Sequence, residues 1–185
     1  MWIGDSETRF RDRAVTLAGV VGENVEVPSA NPVNYHQAIN DPAGCEPVVV
    51  DGKLFVPSAY RPLPLVMVVP GSLGVGDGHL AHAETMLAAG YAAFVLDPFG
   101  PRSVTSTVAN QTAYSFAASA FDVLSALIVL SEHPGVDAGR ICAQGNSRGG
   151  SAVLTAAMRR FADAVVGDGV GLAGVYAVYP WCGHQ

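Results

Sequence analysis

The amino-acid sequence predicts an α/β protein with a mostly parallel sheet, helices on both faces and an antiparallel N-terminal hairpin. After residue 64, short apolar runs alternate with helical patterns, as in a parallel sheet that is covered on both faces. Before that point, the pair Asp51-Gly52 separates two runs rich in β-branched and aromatic residues, 48–50 and 54–56. Such a pair favours a tight two-residue turn and therefore predicts a hairpin.

The first elements after the hairpin follow from apolar runs and their end signals. The run over 65–69 predicts a strand buried on both faces, and a glycine-rich loop follows over 71–78. A helix is predicted over 79–89, because Gly90 stands at a typical C-terminal cap position. The next buried strand is predicted over 91–96.

The later elements alternate in the same way. After a loop over 98–113, a helix is predicted over 114–131 because its apolar residues recur at intervals of three and four. The tripeptide His133-Pro134-Gly135 breaks that pattern. The chain then continues with a predicted strand over 140–144, a helix over 149–164 and a strand over 172–179.

Composition restricts the class of protein. The chain has 185 residues, of which 50% are hydrophobic and 14% charged, which is enough for one sizeable core. We expect an irregular lead-in over 1–47, with room for one strand, followed by a single α/β core over 48–185. The net charge of −6 argues against nucleic acid as a partner.

Targeting signals and cysteine spacing point to a soluble protein of the cytoplasm. No apolar stretch is long enough to cross a bilayer, and residues 1–13 lack the apolar segment of a signal peptide. Cys45, Cys142 and Cys182 show no metal-binding spacing, so we expect reduced thiols, with Cys142 as a small buried hydrophobic residue. We expect no cofactor, no metal and no membrane partner.

A candidate nucleophile lies in the pentapeptide Gly145-Asn146-Ser147-Arg148-Gly149. It stands between a predicted strand and a predicted helix, as a nucleophile elbow requires. Gly145 and Gly149 would remove side chains that collide in so tight a turn, and the bend would raise the Ser147 hydroxyl at a helix N-terminus. The alternative is an ordinary glycine-rich turn without catalytic function.

An oxyanion hole would need two backbone amides near Ser147. Arg148 follows the serine and supplies the first amide. The glycine-rich loop after the strand over 65–69 supplies the second, from Ser72 or Leu73. The alternative for this loop is a phosphate site, but glycines at 71, 74, 76 and 78 match neither dinucleotide-binding nor Walker spacing.

Three blocks carry a family resemblance: VMVVPGSLGVGDGHLAHAETMLAAGYAAFVLDPFGPR, HPGVDAGRICAQGNSRGGS and YPWC. In this order and spacing, the region 48–185 resembles the dienelactone hydrolase branch of the α/β-hydrolases. The resemblance implies a hydrolase of small ester or lactone substrates. The name-giving members carry cysteine at the elbow where this chain has Ser147, which favours a serine esterase over true dienelactone hydrolysis.

The resemblance also implies a role for Arg102. This residue falls in the loop where dienelactone hydrolases place an arginine that binds a substrate carboxylate, and a guanidinium suits that task. The alternative is an ordinary exposed arginine in a flexible loop.

No acid or histidine completes a triad by chain order, which in this fold runs Ser, acid, His. His36 lies in the lead-in, His133 at the wrong end of its strand, and His79 and His82 in what we expect to be a solvated first helical turn. His184 follows the elbow but has no acid to orient it. We therefore expect an incomplete α/β-hydrolase fold, with the acid and histidine beyond residue 185. A non-catalytic binding module and a nucleotide-binding domain remain as alternatives.

Overall fold

The computed structural model describes residues 9–182, which form a six-stranded sheet in the order β3-β4-β6-β5-β7-β8 and a separate pair, β1-β2. The strands are β1 Thr16–Leu17, β2 Val20–Val21, β3 Glu23–Asn31, β4 Glu46–Phe55, β5 Leu63–Val69, β6 Ala92–Asp97, β7 Val136–Asn146 and β8 Gly174–Val178. The α-helices are α1 Tyr35–Asn40, α2 Asp77–Ala88, α3 Phe116–Ser131, α4 Arg148–Ala156 and α5 Arg159–Val166.

The sheet confirms the predicted architecture. β6, β5, β7 and β8 pair in parallel, whereas β3 and β4 pair antiparallel with each other and β4 pairs antiparallel with β6. The carboxyl ends of the four parallel strands therefore lie at one edge of the sheet, where reactive groups gather in such folds. β3 lies in the predicted lead-in over 1–47, so the sheet also draws on residues before 48.

The predicted turn at Asp51-Gly52 is wrong, because both residues lie inside the continuous strand β4. Gly52 pairs with Val25 of β3 on one side and with Leu96 of β6 on the other. A Cβ built at Gly52 would lie 2.1 Å from the ring of Phe94, so the glycine makes room for that ring instead of forming a turn. The antiparallel hairpin exists, but β3 and β4 form it.

Two smaller expectations also change. The predicted helix over 149–164 is divided into α4 and α5, and the break lets Phe161 of α5 pack edge-on against Tyr35 of α1 at a 6.0 Å centroid distance. Cys142 is partly exposed rather than buried. It pairs with Gly174 of the edge strand β8, which has no side chain to cover the thiol.

Helices cover both faces of the sheet. α3 packs on one face within the larger apolar cluster, with Leu124 and Leu127 buried, and α2 covers the other face through Ala83 and Leu87. Across residues 9–182, no helix combines the length and the hydrophobicity that spanning a bilayer requires. β8 forms an edge of the sheet and leaves Tyr176 67% exposed.

Candidate active site

Ser147 stands in a strained bend between β7 and α4. Its φ of 51° and ψ of −118° are a conformation that side-chain-bearing residues rarely adopt, and it costs about 1–3 kcal/mol. Two hydrogen bonds hold the bend: the Ser147 amide donates to the Val178 carbonyl at 3.1 Å, and the Trp181 amide donates to the Ser147 carbonyl at 3.1 Å. The Ser147 residue is half-buried, at the carboxyl edge of the sheet.

The two flanking glycines are sterically required. A Cβ built at Gly145 would lie 2.3 Å from the backbone of Gly149, and one built at Gly149 would lie 2.3 Å from the Val69 carbonyl oxygen. Because backbone atoms block both positions, neither contact can be relieved by a side-chain rotation. The sequence-based reason for both glycines, collision in a tight turn, agrees with this geometry.

The glycine-rich loop after β5 contacts the elbow. A Cβ built at Gly71 would lie 3.6 Å from the Ser147 Cβ and 3.1 Å from Asn146 Nδ2, so the backbone of this loop lies against the candidate nucleophile. The Gly74 amide donates to the Gly71 carbonyl at 3.1 Å and closes a turn with Ser72 and Leu73 at its centre. The side chain of Leu73 is exposed.

Three backbone amides, one in the elbow and two in the adjoining turn 71–74, have no protein acceptor within residues 9–182. They belong to Ser72, Leu73 and Arg148, and Arg148 is the first residue of α4. The first amides of a helix lack intrahelical partners and carry the positive end of the helix dipole. The arrangement can therefore offer donors to a negatively charged oxygen beside Ser147.

The side chain of Arg148 is buried beneath the elbow, which sequence reasoning missed. The residue is 1% exposed, and its guanidinium donates to Ser119 Oγ at 3.1 Å, to the Gln111 carbonyl at 3.0 Å and to the Tyr114 carbonyl. The rings of Tyr114 and Phe116 lie 4.4 and 4.0 Å from it. Burial lowers the pKa of Arg148.

Arg102 does not stand free as the predicted substrate-binding arginine would. Its guanidinium forms a bidentate pair with Asp122, at 2.8 and 2.9 Å, and its Nε donates to Asn31 at 2.7 Å. Burial opposes the charge, but Asp122 outweighs it and raises the pKa of Arg102. Since Asp122 already occupies the guanidinium, this placement argues against binding of a substrate carboxylate. Arg102 is also not the exposed loop residue of the alternative.

No histidine within residues 9–182 hydrogen-bonds to the Ser147 hydroxyl. His133 precedes β7 at the end of that strand away from the elbow, as predicted, and His36 lies in α1. His82 is exposed. His184, the remaining candidate base, lies outside the described residues. In the same described range, His, Cys, Asp and Glu side chains form no group of three or more that could hold a metal ion.

His79 differs from its predicted solvated position. Its Nδ1 accepts the Gly76 amide at 3.0 Å, so Nε2 carries the proton and donates to Asn146 Oδ1 at 3.0 Å. Burial lowers the pKa of His79, which favours the neutral ring. With both nitrogens engaged, His79 supports the residue before Ser147 and is not placed to take the serine proton.

A cavity of about 170 Å³ opens beside the elbow, lined among others by His79, Gly145, Asn146 and Tyr179. Pockets for drug-sized ligands usually enclose about 300–1,000 Å³. The lining includes Gly145 and Asn146 of the elbow but not Ser147, so this cavity does not define a substrate pocket at the Ser147 hydroxyl.

Comparisons with known proteins concern the fold of the chain. No protein-family model matches the sequence, and no curated protein matches it. Among solved structures, esterase Est22 is 20% identical with a TM-score of 0.61, over 89% of this chain and 45% of its own. A dienelactone hydrolase-like promiscuous phosphotriesterase, P91, from metagenomic libraries is 19% identical with a TM-score of 0.52, over 86% and 60% of the two chains.

A third structure is MGS-M1, an α/β-hydrolase enzyme from a deep-sea metagenome library of the Medee basin. It is 20% identical with a TM-score of 0.56, over 86% of this chain and 59% of its own. The chain therefore spans 45% to 60% of the lengths of these three structures. At such identities the likeness shows the fold, and the chain has the α/β-hydrolase fold that the sequence predicts.

Proposed function

We propose that the chain is the nucleophile-bearing part of a serine hydrolase that acts on small ester or lactone substrates, of the dienelactone hydrolase-like kind. The observation that carries this proposal is the strained backbone of Ser147, placed beside amides without protein acceptors. An ordinary glycine-rich turn has no need of a serine in so costly a conformation. Esterases and dienelactone hydrolase-like proteins among the solved structures support the same class.

The proposed reaction proceeds by acyl transfer. Ser147 Oγ attacks the acyl carbon and loses its proton to a base, while the carbonyl oxygen becomes an oxyanion held by the amides of Arg148 and of Ser72 or Leu73. Collapse breaks the ester bond, and the alcohol leaves with the proton from the base. Water then attacks the acyl-enzyme by the reverse sequence and releases the acid.

We propose that the base and its acid lie beyond residue 185. Within residues 9–182 both nitrogens of His79 are engaged, and no other histidine reaches Ser147. The edge of β8 that does not face β7 carries no further strand of the described residues, and solved structures of this fold are up to about twice as long as this chain. We therefore expect little turnover from the 185-residue protein alone.

A non-catalytic binding protein of the same fold is the second candidate, because no described base contacts the serine. A fluorophosphonate probe separates the two, since it modifies only activated serines. We would treat the 185-residue protein and the product of the longer reading frame with the probe and locate the label by peptide mass. Labelling of Ser147 in the longer product, lost in Ser147→Ala, is the expected result.

Ser58→Ala serves as the matched control, because Ser58 is an exposed loop serine between β4 and β5. This variant should label like the wild type. If neither protein is labelled at Ser147 and neither hydrolyses p-nitrophenyl acetate, the hydrolase proposal is wrong and the binding protein is favoured.

A further inference from the structure

The buried guanidinium of Arg148 has no carboxylate partner among residues 9–182. All its acceptors are neutral: two backbone carbonyls, a serine hydroxyl and the side-chain oxygen of Gln111, the last at 3.3 Å. A buried cation without a counterion is expensive to maintain. Its acceptors lie on the segment 111–119, so the cation fastens this segment to the residue that follows Ser147.

Gln111 extends this connection to the other side of the elbow. Arginine has donors only, so the amide oxygen of Gln111 must face Arg148 and the amide nitrogen must face away. That nitrogen donates to Ser72 Oγ at 3.3 Å. A second residue of the loop between β6 and α3 also contacts Ser72. The Thr107 amide donates to the Ser72 carbonyl at 2.8 Å.

We propose that Arg148 and Gln111 are positioning residues that hold the Ser72–Leu73 turn at a fixed distance from the Arg148 amide. This inference rests on the proposed hydrolase function. The bridge runs from the Arg148 guanidinium through the Gln111 side chain to Ser72, and it joins the two loops that supply the candidate oxyanion donors. Arg148 then has two roles. Its backbone amide is a candidate oxyanion donor, and its side chain anchors the Ser72–Leu73 turn through Gln111.

The bridge has a specific kinetic consequence. An oxyanion forms during the reaction, so donors at the wrong distance weaken the transition state more than the bound ester. Displacements of about 1 Å can cost up to about 100-fold in rate. Loosening one of two anchors on Ser72 is therefore expected to reduce kcat by about 10-fold and to leave KM within about twofold.

Gln111→Leu tests the bridge because it keeps the size of the side chain and removes its polar atoms. The Gln111 backbone carbonyl still accepts from Arg148 in this variant. Asn110→Ala is the matched control, since among residues 9–182 the Asn110 side chain bonds only to the nearby Thr112. Kinetics with p-nitrophenyl acetate would be measured on the protein that the fluorophosphonate probe labels, together with amide hydrogen exchange of the turn 71–74.

The proposal expects the kcat loss and faster exchange of the turn in Gln111→Leu, and wild-type values for both in Asn110→Ala. Gln111→Glu loses the amide donor but keeps an acceptor for Arg148 and one for the Ser72 hydroxyl, which lies 3.4 Å from Gln111 Oε1, so its exchange should stay as slow as that of the wild type. Unchanged exchange in Gln111→Leu, or equal effects in Asn110→Ala, would overturn the bridge. If the wild type proves unreactive, the hydrolase proposal fails separately, and the exchange data alone decide the positioning role.

Discussion

The ends of β6 and β7 lie at the same edge of the sheet, and each is followed by an arginine whose guanidinium contacts the ring of Tyr114. Arg102 lies 4.7 Å from that ring and Arg148 lies 4.4 Å from it. After β6, the guanidinium of Arg102 pairs with Asp122. This carboxylate is fully buried and also accepts a hydrogen bond from Ser29 Oγ at 2.6 Å. After β7, the guanidinium of Arg148 donates to neutral acceptors, and its backbone amide has no acceptor among residues 9–182.

This difference separates an arginine whose charge is paired inside the protein from one that directly follows the candidate nucleophile Ser147. A bidentate carboxylate satisfies the charge of Arg102 inside the protein, so nothing is left for a substrate. The side chain of Arg148 is buried, and it forms no ion pair with a carboxylate of residues 9–182; Asp122 interacts with it electrostatically without a direct contact. The field of Arg148 therefore adds to that of the α4 dipole where an oxyanion would form.

The largest effect is expected at the β6 end. Asp122→Asn leaves Arg102 buried without a negative partner, and breaking a buried pair in this way costs about 3–5 kcal/mol. Urea denaturation monitored by circular dichroism would measure the free energy of unfolding.

The control for this variant is Asp137→Asn, because Asp137 forms a solvent-exposed pair with Arg140 at 2.7 Å. We expect no measurable change there, since exposed pairs are screened by water. Equal destabilisation by both variants would show that the Asp122 pair does not anchor the β6 end.

A smaller loss of stability is expected at the β7 end. Arg148→Met removes a costly buried cation together with the donors of four acceptors, so the two effects partly cancel. We expect about 1–3 kcal/mol of destabilisation in the same urea experiment. Arg159→Met, at an exposed arginine paired with Asp163 within α5, should leave the stability unchanged. A loss greater than that of Asp122→Asn would contradict the distinction between the two arginines.

The alternation of strands and helices was predictable because it depends on local apolar runs. The strands β5, β6 and β8 and the helices α2 and α3 follow their predicted segments to within a few residues. The conformation at Asp51-Gly52 was not predictable, because it depends on pairing with β3 and on contact with the ring of Phe94, both remote in sequence. A turn-forming dipeptide reports a local backbone preference and carries no information about which strands will pair.

In the candidate site too, features that depend on neighbouring residues were predictable, and features that depend on distant residues were not. The roles of Gly145 and Gly149 follow from sterics within one pentapeptide, so the sequence indicates them directly. Arg102 is different, since its partner Asp122 lies 20 residues away on α3. No sequence pattern indicated a role for Gln111, because its contacts with Ser72 and Arg148 span 39 and 37 residues.

The smallest expected effect concerns Asp97, the last residue of β6. Its Oδ1 accepts the amides of Phe99 and Gly100 at 3.1 and 3.2 Å, and burial raises its pKa above the ordinary value. A raised pKa in the folded state means that Asp97 contributes most stability below its unfolded pKa of about 3.9 and loses that contribution as pH rises through the folded value. At pH 7 its charge is therefore a net cost to the fold.

Asp97→Asn keeps the oxygen that accepts both amides and removes the charge. Its free energy of unfolding should exceed that of the wild type at pH 7, and the difference should shrink as the pH falls toward about 4. Urea denaturation at a series of pH values measures this difference. A variant that is less stable at pH 7, by an amount that does not change with pH, would mean that Asp97 is needed as an anion. The β6 end would then resemble the β7 end in holding a charge for more than packing.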